Sequence, residues 1–150
     1  MTDIVSPEQR SRNMAAIRSQ NTKPEIYFRR LLFARGFRYR IGEKTVPGHP
    51  DIFLRKYNTA VFVHGCFWHR HTGCRYAYMP KSRVAFWQKK FDANVRRDHA
   101  VRQQLRDQGI RYLIIWECTI RQMRKNRNTE EDILALTEEF LFSEEYYKEL

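Results

Sequence analysis

The sequence predicts one α/β domain spanning residues 1–150, with a mixed sheet flanked by helices. Three features point there. Helix-start signatures stand near the N-terminus, two short apolar runs flank a tight polar turn, and a long amphipathic stretch feeds a continuous apolar run. A strand reached across a helix pairs in parallel with its neighbour, whereas a hairpin pairs antiparallel, so the sheet is mixed.

The elements follow in order. "SPEQ" (6–9) and "TKPE" (22–25) each place a hydroxyl cap three residues before Gln or Glu, with proline in the first turn. The first helix is expected at about 7–19 and the second from Lys23 to Arg35, stopped by Gly36. "FRYRI" (37–41) alternates as a strand, and "PGHP" (47–50) is a turn. "DIFLR" (51–55) and "AVFVH" (60–64) form a hairpin around "KYNT". A long helix is expected at about 83–108, ended by Gly109, followed by a buried strand at 111–117. A last helix runs from about Glu130 to Phe142, behind Thr129, within an acidic C-terminal segment (129–150) read as helical.

The net charge of +11 is unevenly spread. Residues 1–125 hold 26 Lys/Arg against 9 Asp/Glu, and residues 126–150 hold 2 against 8, so a body of +17 carries a tail of −6. Such an excess suits a polyanionic partner, and with no amphipathic anchor it favours nucleic acid over a membrane surface. No apolar run approaches a membrane span and the N-terminus lacks a signal-peptide pattern, so a soluble cytoplasmic protein is expected. The three cysteines, Cys66, Cys74 and Cys118, cannot all pair with one another, which suits thiols or metal ligands better than disulfides.

The chemistry concentrates in "VHGCFWHRHTGC" (63–74). A hairpin turning about Tyr57 and Asn58 sets Asp51 opposite His64, at the mouth of this histidine-rich loop. On the long helix, Val84, Trp87, Phe91, Val95, Val101 and Leu105 share a face with Asp98, so that carboxylate points inward and needs a partner. Glu25 shares a face with Phe28 and Leu32, although its capping-box position alone accounts for it. Structural zinc takes four thiolate or imidazole ligands, and Cys66, His69, His71, Cys74 and Cys118 offer five. A Cys3His set leaves one histidine free, whereas a Cys2His2 set within the loop strands Cys118. The first is preferred because Cys118 would tie the loop to the core strand.

In this order and spacing, "PGHPD", "VFVHGCFWHRHTGC", "FWQKKFDANVRRD" and "LIIWEC" closely resemble the very short patch repair endonucleases, over roughly residues 8–123. The resemblance implies a restriction-endonuclease-like (PD-(D/E)XK-type) fold with a structural zinc site. It implies a magnesium-dependent enzyme that nicks one strand 5′ to the thymine of a T:G mismatch left by deamination of 5-methylcytosine. Carried onto this chain, it places magnesium on Asp51 and the Val63 carbonyl, and the catalytic histidine at His69. Glu25, His64 and Asp98 are supporting positions, and zinc falls to Cys66, His71, Cys74 and Cys118. Phe67, Trp68 and Trp87 match aromatics wedged into the DNA stack, and Met14 matches a minor-groove contact. The family frequently has threonine where this chain has Val63, and the loop carries one extra residue before Cys74. Mismatched double-stranded DNA is the expected partner of a monomer in the bacterial nucleoid, linked functionally to a cytosine-5 DNA methyltransferase and to downstream repair proteins.

On this reading Asp51 holds magnesium against the scissile phosphate, His69 is general base for the attacking water, and Asp98 orients a histidine. Two other classes compete. A zinc-stabilised DNA-binding module needs neither Asp51 nor a free histidine, and a hydrolase with catalytic zinc is the other; within the endonuclease reading, a nicking endonuclease of broader mismatch specificity is the alternative. The catalytic zinc would require an open coordination position, and four protein ligands argue against it.

Overall fold

The central strands are apolar on both faces because helices cover both. The computed structural model describes residues 21–150, so the helix expected at 7–19, with Met14, lies outside the described residues. The elements are α1 (Lys23–Ala34), β1 (Ile52–Leu54), β2 (Thr59–His64), α2 (Val84–Asp107), β3 (Arg111–Trp116), α3 (Glu117–Lys125), α4 (Arg127–Phe142) and β4 (Tyr147–Glu149). The sheet order is β1-β2-β3-β4. β1 and β2 pair antiparallel, and β2–β3 and β3–β4 pair parallel. The expected mixed sheet flanked by helices is the one observed.

Side chains alternate across the pleat, so each strand feeds two cores. On one face Ile52, Leu54, Val61, Leu113 and Ile115 pack with Phe28 and Leu32 of α1, Ile120 and Met123 of α3, and Leu134, Phe140 and Leu141 of α4. On the other, Ala60, Phe62, Tyr112, Ile114 and Trp116 pack with Leu105 of α2 and with Cys66. Burial on both faces explains the unbroken apolar run of β3. Glycine ends α1 and α2 as expected. Gly36 (φ 92°) and Gly109 (φ 68°) adopt left-handed backbone, and the next residue's N–H returns to the helix, from Phe37 to Leu32 and from Ile110 to Leu105.

Several expectations are corrected. Residues 37–41 form no strand; Arg40 makes only an isolated bridge to Phe53, exchanging two backbone bonds of 2.9 Å. The hairpin turns through a 3-10 turn at Arg55–Tyr57 and a left-handed Asn58, so Ile52 pairs with Val61 and Leu54 with Thr59. That register brings Asp51 level with Phe62, not His64. A slip of two residues keeps every side chain on its face.

Residues beyond β3 differ most. The expected strand end at Glu117 is instead the start of α3. Ile120 and Met123 bury one face of this helix while Arg121, Arg124 and Lys125 remain exposed, and the basic residues sit at its carbonyl end, where helix polarity favours them. α4 begins at Arg127 because the Asn126 side chain, not Thr129, caps it, accepting from the Asn128 and Thr129 N–H groups. The acidic segment is not helical to its end. Arg111 donates to the carbonyls of Phe140, Leu141, Ser143 and Glu145, collecting the free carbonyls at the end of α4. The chain then turns back as β4, and the Leu150 carbonyl just beyond it accepts from Trp116 N–H at 3.0 Å. No helix among the described residues is long and apolar enough to cross a membrane.

Candidate active site and metal centre

The parallel strands β2 and β3 deliver His64 and Trp116 side by side at their C-terminal ends, and the loop 65–83 leaves from there. Ligand sites in α/β sheets gather at such ends. The loop is tied down by its own bonds: His69 N–H to Gly65 O and His71 N–H to Cys66 O, both 3.0 Å. Arg70 (φ 53°) is left-handed, and this local reversal sends His69 and His71 into different clusters.

His69 joins the first cluster. Its ring stacks on His64, with centroids 3.8 Å apart and planes 4° from parallel. Its Nδ1 lies 2.8 Å from Oδ2 of Asp98, which α2 carries across this face of the sheet. Burial works against the Asp98 charge, but the hydrogen bond and positive charge of His69 outweigh it and hold Asp98 below the usual carboxylate range. An ionised Asp98 only accepts, so His69 Nδ1–H is the donor, and whenever the ring is neutral it is Nε2 that carries the lone pair. His64 is buried, and its Nδ1 has no hydrogen-bond partner among the described residues. Burial, then the charge of His69, push its pKa down to about 3, so it is neutral near pH 7.

Asp51 reaches the same corner. Its Oδ2 accepts from the backbone N–H of Val63 at 2.7 Å, one residue before His64. Glu25, buried at the start of α1, accepts from Asn21 N–H at 2.8 Å and also faces Asp51. Burial, then the Glu25 carboxylate, raise Asp51 to about 8. Two carboxylates forced together out of water are oxygen donors in want of a cation.

The second cluster is Cys66, His71, Cys74 and Cys118, whose ligand atoms all lie within 4.8 Å of one another. His71 Nδ1 and Cys118 Sγ are 3.4 Å apart, close to the edge of about 3.5 Å expected of a tetrahedral nitrogen–sulfur site. Cys118 N–H donates to Cys66 Sγ. Burial pushes the Cys66 thiol up to about 12 and raises that of Cys118. Packed thiols that resist ionisation without a counter-charge are the donor set of a thiophilic metal. The set includes Cys118 and leaves His69 outside.

Phe67, Trp68 and Trp87 are half-buried and meet edge-on or tilted, at centroid separations of 5.1–5.9 Å. Phe91 closes the group from below, 5.1 Å from Phe67. The stripe expected on α2 is less buried than its spacing implies: among its members only Phe91 and Leu105 are fully buried, and Val84 is exposed.

The sequence reading missed three supporting residues. Trp116 stands between the clusters, Asn94 holds the Trp68 carbonyl at 3.1 Å, and Arg70 donates to the carbonyls of Phe67, Ala77 and Tyr78. Trp116 lay within "LIIWEC", but only as an apolar strand residue. Nothing local marked Asn94 or Arg70, whose partners are backbone carbonyls.

The family model described as "DNA mismatch endonuclease Vsr" matches residues 2–75. A type II nicking enzyme of Neisseria meningitidis serogroup A is 44% identical over 121 residues, 81% of this chain and 86% of the relative. A type II nicking enzyme of Xanthomonas oryzae pv. oryzae is 44% identical over 120 residues, 80% of this chain and 88% of the relative. The DNA mismatch endonuclease Vsr of Escherichia coli K12 is 36% identical over 144 residues, 96% of this chain and 90% of the relative. Similarity on this scale over nearly the whole of each relative means that the chain belongs to the Vsr family of DNA mismatch endonucleases.

Proposed function

We propose that this endonuclease nicks one strand of duplex DNA on the 5′ side of the thymine in a T:G mismatch. The observation that carries the reading is the Asp51–Glu25 carboxylate pair, joined through the Val63 N–H to the His64–His69–Asp98 stack. Relatives named as nicking enzymes and as a mismatch endonuclease support it.

The hard oxygen donors suit magnesium, held by Asp51 with the Val63 carbonyl and supported by Glu25. Magnesium, when bound, supplies positive charge to the scissile phosphate. His69, its Nδ1–H held by Asp98, presents Nε2 to take the proton of the attacking water. Neutral His64 offers a hydrogen bond to phosphate or water without competing for that proton. Phe67, Trp68 and Trp87 enter the stack beside the mismatch, where a mispaired step yields most easily. Zinc suits Cys66, His71, Cys74 and Cys118, with four protein ligands as structural sites have. It holds the loop that aims His69.

The test is incubation with labelled duplexes differing only in one T:G pair, with magnesium or with EDTA. A magnesium-dependent nick beside the thymine, absent from the matched duplex, is expected. Equal nicking of matched DNA or of every mismatch would overturn the specificity, and binding without cleavage would leave a DNA-binding module.

A further inference from the structure

Beyond the nicking site, we propose that a basic cleft between the start of α1 and the exposed face of α3 seats a backbone phosphate of the DNA strand being cut. The inference rests on the nuclease reading above. The cleft is a cavity of about 370 Å³ lined by Lys23, Pro24, Glu117, Ile120, Arg121 and Arg124. Its charge is unbalanced. Among the described residues Glu117 is the only carboxylate in its wall, and it pairs with Arg121 at 3.4 Å, which leaves Lys23 and Arg124 with no ion pair among those residues. Arg121 and Arg124 are also held in place: their guanidinium carbons lie 4.8 Å from the ring of Tyr76 and 5.7 Å from that of Tyr27. Cations set in advance over aromatic rings lose less freedom on meeting an anion.

Position makes that anion a phosphodiester. Lys23 and Pro24 immediately precede Glu25 in the chain. At the other end, Glu117 and Arg121 also wall a second cavity of about 130 Å³, lined further by Cys66, Phe67 and Tyr76. The two cavities share the Glu117–Arg121 wall and so adjoin, and we read them as one trough leading from the first turn of α1 toward Phe67. A strand laid along it carries a phosphate between Lys23 and Arg124 while a base edge meets Phe67. An isolated small anion has no use for the apolar end of such a trough, whereas a nucleotide has groups for both ends.

The test uses the full chain with Lys23→Gln and Arg124→Gln, and Lys56→Gln as control, since Lys56 lies in the β1–β2 turn at the far end of the sheet. Duplex affinity by fluorescence anisotropy and nicking kinetics are measured against salt. Each cleft variant should bind about tenfold more weakly. Its log–log salt slope should be shallower by about 0.9, with kcat within about twofold and Lys56→Gln unchanged. Wild-type enzyme should lose the same affinity when one methylphosphonate neutralises the seated phosphate, and Arg124→Gln should be indifferent to that substitution alone. Unaltered affinity and slope in both cleft variants would overturn the proposal. Methylphosphonate losses that multiply with Arg124→Gln at every position would do the same. Absence of nicking by wild-type protein would count against the nuclease reading only, because the anisotropy series still decides the phosphate seat.

Discussion

His71 lies flat on Trp116, the ring centroids 4.1 Å apart and the planes 3° from parallel. The same indole presents itself at 72° to His64, 5.3 Å away, and its Nε1–H donates to Glu149 at 2.8 Å. One side chain from the end of β3 thus touches the thiol cluster and the histidine stack, and the C-terminal strand holds it.

Trp116→Leu removes both ring contacts. It is expected to lower kcat and metal affinity by about tenfold each. Glu149→Gln retains an acceptor for the indole and should cost only a few-fold. Metal competition against a chromophoric chelator, beside nicking rates, checks both.

The His69–Asp98 pair predicts non-additivity. Asp98→Asn, which frees the His69 tautomer, should lower kcat about 10²-fold with KM little changed. Adding it to His69→Ala should do almost nothing more, because the carboxylate acts through the ring. Single-turnover kinetics on the four proteins of the cycle measure the coupling.

The Asp51 carboxyl sets a pH dependence of stability. Its pKa is raised from 3.8 to about 8 in the folded protein, so the fold binds that proton more tightly than the unfolded chain does. The stability it contributes is present below about pH 4 and is lost as pH rises through about 8. Thermal melts in divalent-free buffer should show this fall, and Asp51→Asn should flatten it while abolishing nicking. Magnesium should raise the Tm of wild type at the alkaline end and leave Asp51→Asn unmoved.

Cys118→Ser tests the thiol cluster. Zinc content should drop well below one per chain and Tm by about 10 °C. EDTA should lower the wild-type melt toward that of the variant and leave the variant itself where it is. Cobalt substitution supplies a second readout, since thiolate charge-transfer bands should weaken on loss of Cys118.

Much of this was legible in residue types. Helix ends at Gly36 and Gly109, the hairpin, the buried strand and its crossover follow from caps and periodicity alone. The donors of both clusters could be named because Cys, His and Asp are rare enough for proximity to carry meaning. Sharing five donors between two sites was different. It depends on the left-handed turn at Arg70, which no spacing rule announces. α3 was missed because apolar β3 runs into it without a break, and its hydrophobic face consists of little more than Ile120 and Met123. β4 was missed because eight residues rich in Glu and Tyr carry no strand period; β3 and the Arg111 carbonyl contacts impose the extended form.

Three members of the thiol–imidazole cluster lie within residues 66–74, and the fourth, Cys118, comes only after β3. In the folded protein Cys118 reaches the other three because β3 lies beside β2. The ligand set thus ties the loop after β2 to the C-terminal end of its neighbouring strand. A chain that stops short of Cys118 lacks one of the four donors, so the loop that carries His69 cannot be gripped by the whole set until the residues beyond β3 are present.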